Sequence, residues 1–253
     1  MAETQPAPEP KKSDLGTRAL SAVVMVAVAG TALWLGGWAL ALLVAGVGLG
    51  ALWEWRGLVW QAFSGSSARV VWLLAGFLYV GLACAFPLSI IRDDFAAAAQ
   101  MAAGYTIPFG STGRAGVLLP FFAAVIATDV GAYFTGRTLG GPKLAPKISP
   151  GKTWSGLVGG VVAAGLAYAA TLWHFDNDWS NEWWWHFALF GAIMGMIAQA
   201  GDLFESWLKR RAGAKDSGRL IPGHGGLLDR VDGLLAVFLL PGVLEFIHLV
   251  GLK

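Results

Sequence analysis

The sequence has a single cysteine, Cys84, and few charged residues, which make up 13% of its 253 residues. One cysteine excludes an intramolecular disulfide and a metal site built from several cysteines. A low charged fraction beside 56% hydrophobic residues is typical of an integral membrane protein rather than of a soluble domain. No nucleic-acid-binding motif is present, and we expect no nucleic-acid partner.

The N-terminal segment is rich in proline and polar residues and has little to bury. We therefore predict a disordered cytoplasmic tail over residues 1–17. Lys11, Lys12 and Arg18 lie before an apolar stretch, as in a signal peptide. Because further apolar segments follow, a signal anchor is favoured over a cleaved signal.

Apolar runs recur that can cross ~30 Å of hydrocarbon, which takes about 20 residues. They predict an all-α, polytopic membrane bundle of about seven transmembrane helices, in a range of roughly six to nine. The spans are 18–35, 37–55, 69–91, 114–136, 155–174, 184–203 and 227–250. The apolar part of 93–113 is too short to cross, which suggests a re-entrant or interfacial helix. We divide the bundle into N-terminal helices over 18–112 and a catalytic region over 113–253, with cytoplasmic loops at 137–154 and 204–226.

Positive charge is distributed unevenly between the two predicted membrane faces. With a cytoplasmic N-terminus and seven spans, 15 of the 18 Lys and Arg residues fall inside. Arg92, Arg114 and Lys253 fall outside. This asymmetry satisfies the positive-inside rule and predicts that both charged loops face the cytoplasm.

Charge is concentrated in one stretch, residues 202–232, where 11 of 31 residues are Lys, Arg, Asp or Glu. Asp229 and Asp232 are three positions apart at the start of an apolar run, so a helix would place both on one face. Asp202 and Glu205 have the same spacing at the end of the preceding run. Close carboxylates repel each other unless a cation lies between them, and such hard oxygen ligands suit Mg²⁺.

Basic residues of the same stretch could bind a polyphosphate. Gly225 and Gly226 directly precede a helix start, where backbone N–H groups can approach an anion closely. The alternative is that the basic cluster sets topology or contacts lipid headgroups. The acidic residues favour a site, because Asp and Glu contribute little to orientation. The basic residues are Lys209, Arg210, Arg211, Lys215, Arg219 and Arg230.

The order of these residues resembles the signature of the phosphatidate cytidylyltransferases, also called CDP-diacylglycerol synthases. The spacing agrees over 27 residues, a long and position-specific match. The matching residues are Ser206, Lys209-Arg210, Lys215-Asp216, Gly218, Pro222, His224-Gly225-Gly226, Asp229-Arg230 and Asp232.

The segment 129–156 is also similar to this family, through Asp129-Val-Gly-Ala-Tyr and Ile148-Ser-Pro-Gly-Lys-Thr. Gly151 and Ser155 depart from the pattern, since the family commonly has Lys and Glu there. Asp129 lies eight residues before Arg137, or ~12 Å deeper in a helix. An ionisable group at that depth is a functional candidate, and its alternative role is a structural partner of Arg137 or Arg230.

The resemblance implies transfer of the cytidylyl group from CTP to phosphatidate, at the cytoplasmic face of a bacterial inner membrane. It implies metal binding by Asp202, Asp229 and Asp232, with Asp129 as a further candidate, and Mg²⁺ and K⁺ as cofactors. Membrane lipids and a second copy of the chain are implied partners. Asp202, Lys209, Lys215, Asp229 and Asp232 are the implied catalytic residues. Implied substrate-binding residues are Lys143, Lys152, Thr153, Ser206, Arg210, Arg219, His224, Gly225, Gly226 and Arg230.

Two of these residues invite other assignments. His224 has no second His or Cys nearby, which argues against zinc. Ser206 shares a helix face with Asp202 and is expected to support the site by a hydrogen bond, since no base of a triad accompanies it.

Three other functions remain open. A polyprenol or dolichol kinase would use similar metal and phosphate groups. A CDP-alcohol phosphotransferase would need a different acidic motif, which the sequence lacks. A cation or phosphate transporter would place polar residues at the midplane of several spans.

Overall fold

The computed structural model describes residues 15–102, 113–175 and 184–251. Within these ranges lie seven α-helices and one two-stranded sheet. All seven helices contain a stretch long and apolar enough to cross a membrane, which confirms the predicted all-α membrane bundle. The elements are α1 (Leu15–Leu35), α2 (Gly37–Ala62), α3 (Ser66–Ala102), α4 (Gly113–Thr138), β1 (Lys143–Ala145), β2 (Ser149–Thr153), α5 (Trp154–Phe175), α6 (Trp184–Arg211) and α7 (Leu228–Leu249).

Small residues let α4, α5 and α6 approach one another closely. A Cβ atom added at Gly160 of α5 would lie 2.7 Å from the carbonyl oxygen of Thr128 in α4. One added at Gly165 would lie 2.5 Å from the carbonyl oxygen of Ala188 in α6. Lipid tails are as apolar as leucine, so membrane helices associate through such close packing rather than through the hydrophobic effect. These contacts hold α4, α5 and α6 together near the charged segments.

Helices α2 and α6 both continue well past their predicted ends. Helix α2 passes residue 55 because Leu58 and Val59 are fully buried in the bundle. Helix α6 passes residue 203 and ends at Arg211, with Leu208 fully buried. Residues 204–211, predicted as the start of the cytoplasmic loop 204–226, are therefore helical, and that part of the prediction was wrong. Lys209 and Arg210 are helical residues.

The ambiguous segment after residue 92 continues α3. Helix α3 has 37 residues, and at 1.5 Å per residue its length is about 55 Å, well beyond the hydrocarbon thickness. Residues 93–102 are thus the end of a long helix and not a separate re-entrant one. Residues 103–112 lie outside the described ranges, as does the predicted tail up to residue 14.

A short β-hairpin lies between α4 and α5, where the sequence predicted an irregular loop. Strands β1 and β2 are antiparallel, with Lys143 paired to Thr153 and Ala145 paired to Ser149. The Nε atom of Arg210 in α6 donates to the carbonyl oxygen of Ile148, at 3.2 Å. The hairpin is therefore held against the end of α6, so both charged segments lie at the same end of the bundle.

Candidate active site

A cavity of about 520 Å³ opens at this end, between α4, the hairpin, α5 and α6. Helix α5 begins at the cavity, and the Oγ1 atom of Thr153 accepts a hydrogen bond from the Gly156 N–H at 3.1 Å. The positive end of the α5 dipole favours an anion in this position. The lining residues are Asp129, Ala132, Tyr133, Gly136, Arg137, Lys143, Gly151, Lys152, Thr153, Gly156, Leu157, Gln199 and Asp202.

Lys152 and Asp202 form an ion pair in this cavity, with 2.7 Å between Nζ and Oδ2. The same ammonium group donates to the Oε1 atom of Gln199, at 3.3 Å. On the other side of Asp202, Oδ1 accepts a hydrogen bond from the hydroxyl of Ser206 at 3.2 Å. The hydrogen bond expected from Ser206 is present and orients the Asp202 carboxylate, while the substrate-binding role implied for Ser206 stays a prediction.

Close packing of α6 on α7 brings a second carboxylate to Asp202. A Cβ atom added at Gly201 would lie 2.9 Å from the carbonyl oxygen of Asp232, so the absence of a side chain there lets the two helices meet. Asp232 is within electrostatic reach of both Asp202 and Glu205. Asp129 is likewise within reach of Asp202, and of Lys152 and Arg230.

This acidic region has the chemistry that a hard divalent cation requires. Asp202 and Asp232 present carboxylate oxygens from two adjacent helices, and two protein carboxylates are a usual set for Mg²⁺. Among the residues that the structure describes, no three acidic, His or Cys side chains are arranged closely enough to enclose a metal ion on their own. An ion held by these two carboxylates would have to take its remaining ligands from water and phosphate.

Asp229 has different partners from Asp232. Its Oδ1 atom accepts from the ammonium group of Lys209 at 2.6 Å, and Lys209 also lies 3.1 Å from Oε2 of Glu205. Its Oδ2 atom accepts the backbone N–H groups of Ser217 and Gly226, each at 2.9 Å. Asp229 is therefore engaged in three hydrogen bonds. One oxygen of Asp232 accepts from the Gly233 N–H at 2.7 Å, and the metal role implied for Asp229 stays a prediction.

Asp202 is the one residue of the charged stretch 202–232 in the cavity lining, and the signature residues from Ser206 to Asp232 lie outside it. His224 shares a hydrogen bond with Ser21 of α1, with 2.6 Å between Nδ1 and Oγ. Its carbonyl oxygen accepts from Arg230, at 2.6 Å. Gly225 has φ +86°, a conformation that favours glycine. Lys215 and Arg219 are exposed on the loop before α7, and their substrate contacts stay predictions.

Sequence reasoning missed two polar residues that the structure places beside this region. Gln199 is buried and orients Lys152. Glu54 is buried on α2 and accepts hydrogen bonds from Ser217 and from the Leu228 N–H. A buried glutamate within an apolar helix is expensive and could have marked Glu54 as a candidate, but the sequence gives no sign of its distant partner.

The chain matches the model of the cytidylyltransferase family over residues 94–248. It is 38% identical over 269 aligned positions to a phosphatidate cytidylyltransferase of Brucella suis, covering 88% of this chain and 90% of the relative. The chain belongs to the cytidylyltransferase family. The protein of the same name from Rickettsia felis is 36% identical, over 75% of this chain and 74% of the relative. The one from Haemophilus influenzae is 48% identical, over 47% of this chain and 42% of the relative.

The matched segment of this cytidylyltransferase contains the whole cavity lining and both acidic helix ends. It excludes α1 and α2. Glu54 and Ser21, which contact the signature loop, therefore come from a part of the chain that the family model does not cover. The cavity itself is nonetheless built by the family segment alone.

Proposed function

We propose that this chain is a phosphatidate cytidylyltransferase, which converts CTP and phosphatidate to CDP-diacylglycerol and diphosphate. The observation that carries the proposal is the Lys152–Asp202 pair, which joins the two charged segments inside one cavity at an end of the bundle. A volume of about 520 Å³ lies in the usual range of about 300–1,000 Å³ for ligand sites. The names of the relatives support the same substrates.

The reaction requires one bond to form and one to break. An oxygen of the lipid phosphate attacks the α-phosphorus of CTP, the bond from that phosphorus to the bridging oxygen breaks, and diphosphate leaves with the electron pair. Since the nucleophile is already an anion, no strong base is needed. The barrier lies in bringing two anions together and stabilising the leaving group, which is work for fixed cations.

Residues in and beside the cavity would provide these cations and the ligands of the ion. Lys143, Lys152 and Arg137 line the cavity and would hold phosphate oxygens, which the positive end of the α5 dipole also favours. Asp202 and Asp232 would hold Mg²⁺, with Asp129 as a further ligand. The ion, when bound, neutralises the charge of the phosphates. Lys209 is held by Asp229 and Glu205 beside this region, where its charge offsets that of the acidic cluster.

We also propose that the site faces the cytoplasm of a bacterial inner membrane. The excess of Lys and Arg on this side supports the orientation, and so does the need for a water-soluble nucleotide to meet a lipid headgroup. A single cysteine placed at Lys147, in a background with Cys84 replaced by Ala, tests it. A membrane-impermeant maleimide should label inside-out vesicles and leave intact spheroplasts unlabelled.

A labelled-phosphate assay tests the activity and separates it from a lipid kinase. Purified protein in nanodiscs receives Mg²⁺, phosphatidate or polyprenol, and CTP labelled at either the α or the γ position. A cytidylyltransferase transfers the α label to phosphatidate and releases the γ label as diphosphate. Transfer of γ label to polyprenol would instead identify a kinase, and no transfer would reject both.

The resemblance further leads us to propose K⁺ as a second cation and a homodimer. Replacing K⁺ by Na⁺ in the same assay tests the first. Native mass spectrometry of the protein released from nanodiscs tests the second.

A further inference from the structure

Glu54 is a buried acidic residue of α2 that contacts the loop before α7. Only 3% of its surface is exposed. Its Oε2 atom accepts two hydrogen bonds, from the hydroxyl of Ser217 at 2.9 Å and from the N–H of Leu228 at 2.8 Å. Leu228 is the first residue of α7, whose free amides and dipole favour a carboxylate. Glu54 thus caps α7 from a helix far away in sequence.

The contact with Ser217 extends to the signature residues. The Ser217 hydroxyl that donates to Glu54 also accepts from the backbone N–H of Asp229, at 3.3 Å. The Ser217 N–H donates to the Oδ2 atom of Asp229 at 2.9 Å, and Oδ1 of Asp229 holds Lys209. A continuous path of hydrogen bonds therefore leads from Glu54 through Ser217 to the Asp229–Lys209 pair.

The signature loop is also shaped around the Glu54 side chain. A Cβ atom at Gly218 would overlap the Glu54 carboxyl group, and one at Gly226 would overlap both Glu54 and Ser217. The two glycines thus leave room for a carboxyl group supplied by another helix. Any larger residue at either position would displace the loop or Glu54.

Burial of the Glu54 side chain costs free energy of folding, so stability alone does not explain its presence in the bundle. Its Oε1 atom is buried and accepts no hydrogen bond from the described residues, and no ion pair to Glu54 is found among them. A buried acid that is only partly satisfied costs free energy that an apolar side chain of similar size would not. Its contacts instead all converge on the loop that orients Asp229.

We propose that Glu54 is a positioning residue for the transfer reaction, acting through Ser217 on the Asp229–Lys209 pair. The inference rests on the proposed function, because its effect is measured on that reaction. Without Glu54 the first turn of α7 loses its cap and Ser217 loses the acceptor that fixes its hydroxyl. Lys209 then no longer has one defined position beside the cavity.

Variants Glu54→Ala and Glu54→Gln test this role in nanodiscs. Misplacing a catalytic group by about 1 Å can cost about 10²-fold in rate, so Glu54→Ala should lower kcat by about tenfold or more and change KM for CTP by less than about threefold. Glu54→Gln keeps a carbonyl oxygen that can accept both donors. It should recover most of the lost kcat.

Trp55→Phe is the matched control for lost stability. Trp55 is the next residue of α2 and is buried to the same degree. Its Nε1 atom donates to the carbonyl oxygen of Trp72 at 2.8 Å and its ring packs on Tyr79 and Phe204, so its contacts differ from those of Glu54 with Ser217 and Leu228. Its removal should lower the melting temperature while leaving the kcat of the folded protein within about twofold of wild type.

A double variant and a measurement without turnover complete the test. If Glu54 acts through Ser217, Glu54→Ala combined with Ser217→Ala should be no slower than Glu54→Ala alone, because coupled residues are not additive. Hydrogen exchange should be faster in 214–228 of Glu54→Ala and unchanged in α5.

A Glu54→Ala protein with wild-type kcat, or a double variant whose losses multiply, would overturn the positioning role. Wild-type protein that fails to transfer the α label from CTP to phosphatidate would overturn the proposed function instead. In that case the exchange measurement still decides whether Glu54 holds the loop.

Discussion

The ammonium group of Lys152 lies 2.7 Å from the carboxylate of Asp202, in a cavity between the hairpin and α6. These residues belong to separate segments, the strand before α5 and the end of α6. Their side chains are 18% and 33% exposed, so the pair is accessible to a ligand and still partly shielded from water. An arriving phosphate can therefore compete for Lys152 while a cation competes for Asp202.

Lys152→Ala should weaken the use of CTP. A hydrogen bond to a charged group contributes about 1.5–3 kcal/mol, which corresponds to a fall in kcat/KM of roughly 10- to 100-fold. The measurement is initial rate against CTP concentration. Lys147→Ala is the control, because Lys147 is an exposed lysine on the turn of the same hairpin, and an equal effect of both changes would remove Lys152 from the site.

Asp202→Asn and Asp232→Asn should abolish most Mg²⁺-dependent transfer while the protein still folds. Each change removes the charge of one of the two carboxylates that we assign to the ion. Activity is followed in a Mg²⁺ titration, and a change in the Mg²⁺ concentration needed for half-maximal rate identifies a metal role. An unchanged Mg²⁺ dependence with normal turnover would contradict it. Asp93→Asn, in the ion pair with Arg92 away from the cavity, serves as the control.

Asp229→Ala should unfold more easily than Asp202→Ala. Asp229 is 8% exposed and Lys209 is 13% exposed, so removing the carboxylate leaves a shielded ammonium group and two backbone N–H groups without their acceptor. Breaking a buried ion pair costs about 3–5 kcal/mol. The melting temperature in detergent checks this, and a smaller loss for Asp229→Ala than for Asp202→Ala would show that the pair is not what holds the loop.

Ser21→Ala should reduce turnover modestly. The hydroxyl of Ser21 shares a hydrogen bond with Nδ1 of His224 and so connects α1 to the signature loop. A single hydrogen bond contributes about 0.5–1.5 kcal/mol, which predicts a loss of roughly 2- to 10-fold. The control is Ser67→Ala, at an exposed serine near the start of α3, which should leave turnover unchanged. Unchanged turnover of Ser21→Ala would show that the contact with α1 is not needed for activity.

Gly201→Ala should lower both stability and activity, because the added Cβ would lie 2.9 Å from the carbonyl oxygen of Asp232 and push α7 from α6. Gly46→Ala is the comparison, since a Cβ there meets nothing within 4 Å. Alanine is the better helix former by about 0.8–1.0 kcal/mol, so Gly46→Ala should not destabilise the protein. The melting temperature and the transfer rate of the two variants are compared, and both should fall for Gly201→Ala alone.

Much of the architecture could be predicted from the sequence because membrane-spanning segments are specified by length and hydropathy, both local properties. The predicted seven spans agree with the seven apolar helices. The helix ends could not be placed so well. Helices α2 and α6 extend past their predicted ends because Leu58 and Leu208 are buried in the bundle. Such burial depends on residues distant in the sequence and cannot be read from the local sequence. The hairpin was missed because its strands are short and contain little apolar alternation.

The membrane bundle, the two charged segments and the family follow from composition, apolar run length and motif spacing, which are properties of the chain alone. Which charges meet depends on the folded structure. Asp229 and Asp232, three residues apart on one helix, receive different partners because Gly201 brings α6 against Asp232 while Ser217, Gly226 and Lys209 surround Asp229. Pairing between distant residues depends on how helices pack. A sequence motif gives the identity and spacing of its residues but not their contacts in the folded protein.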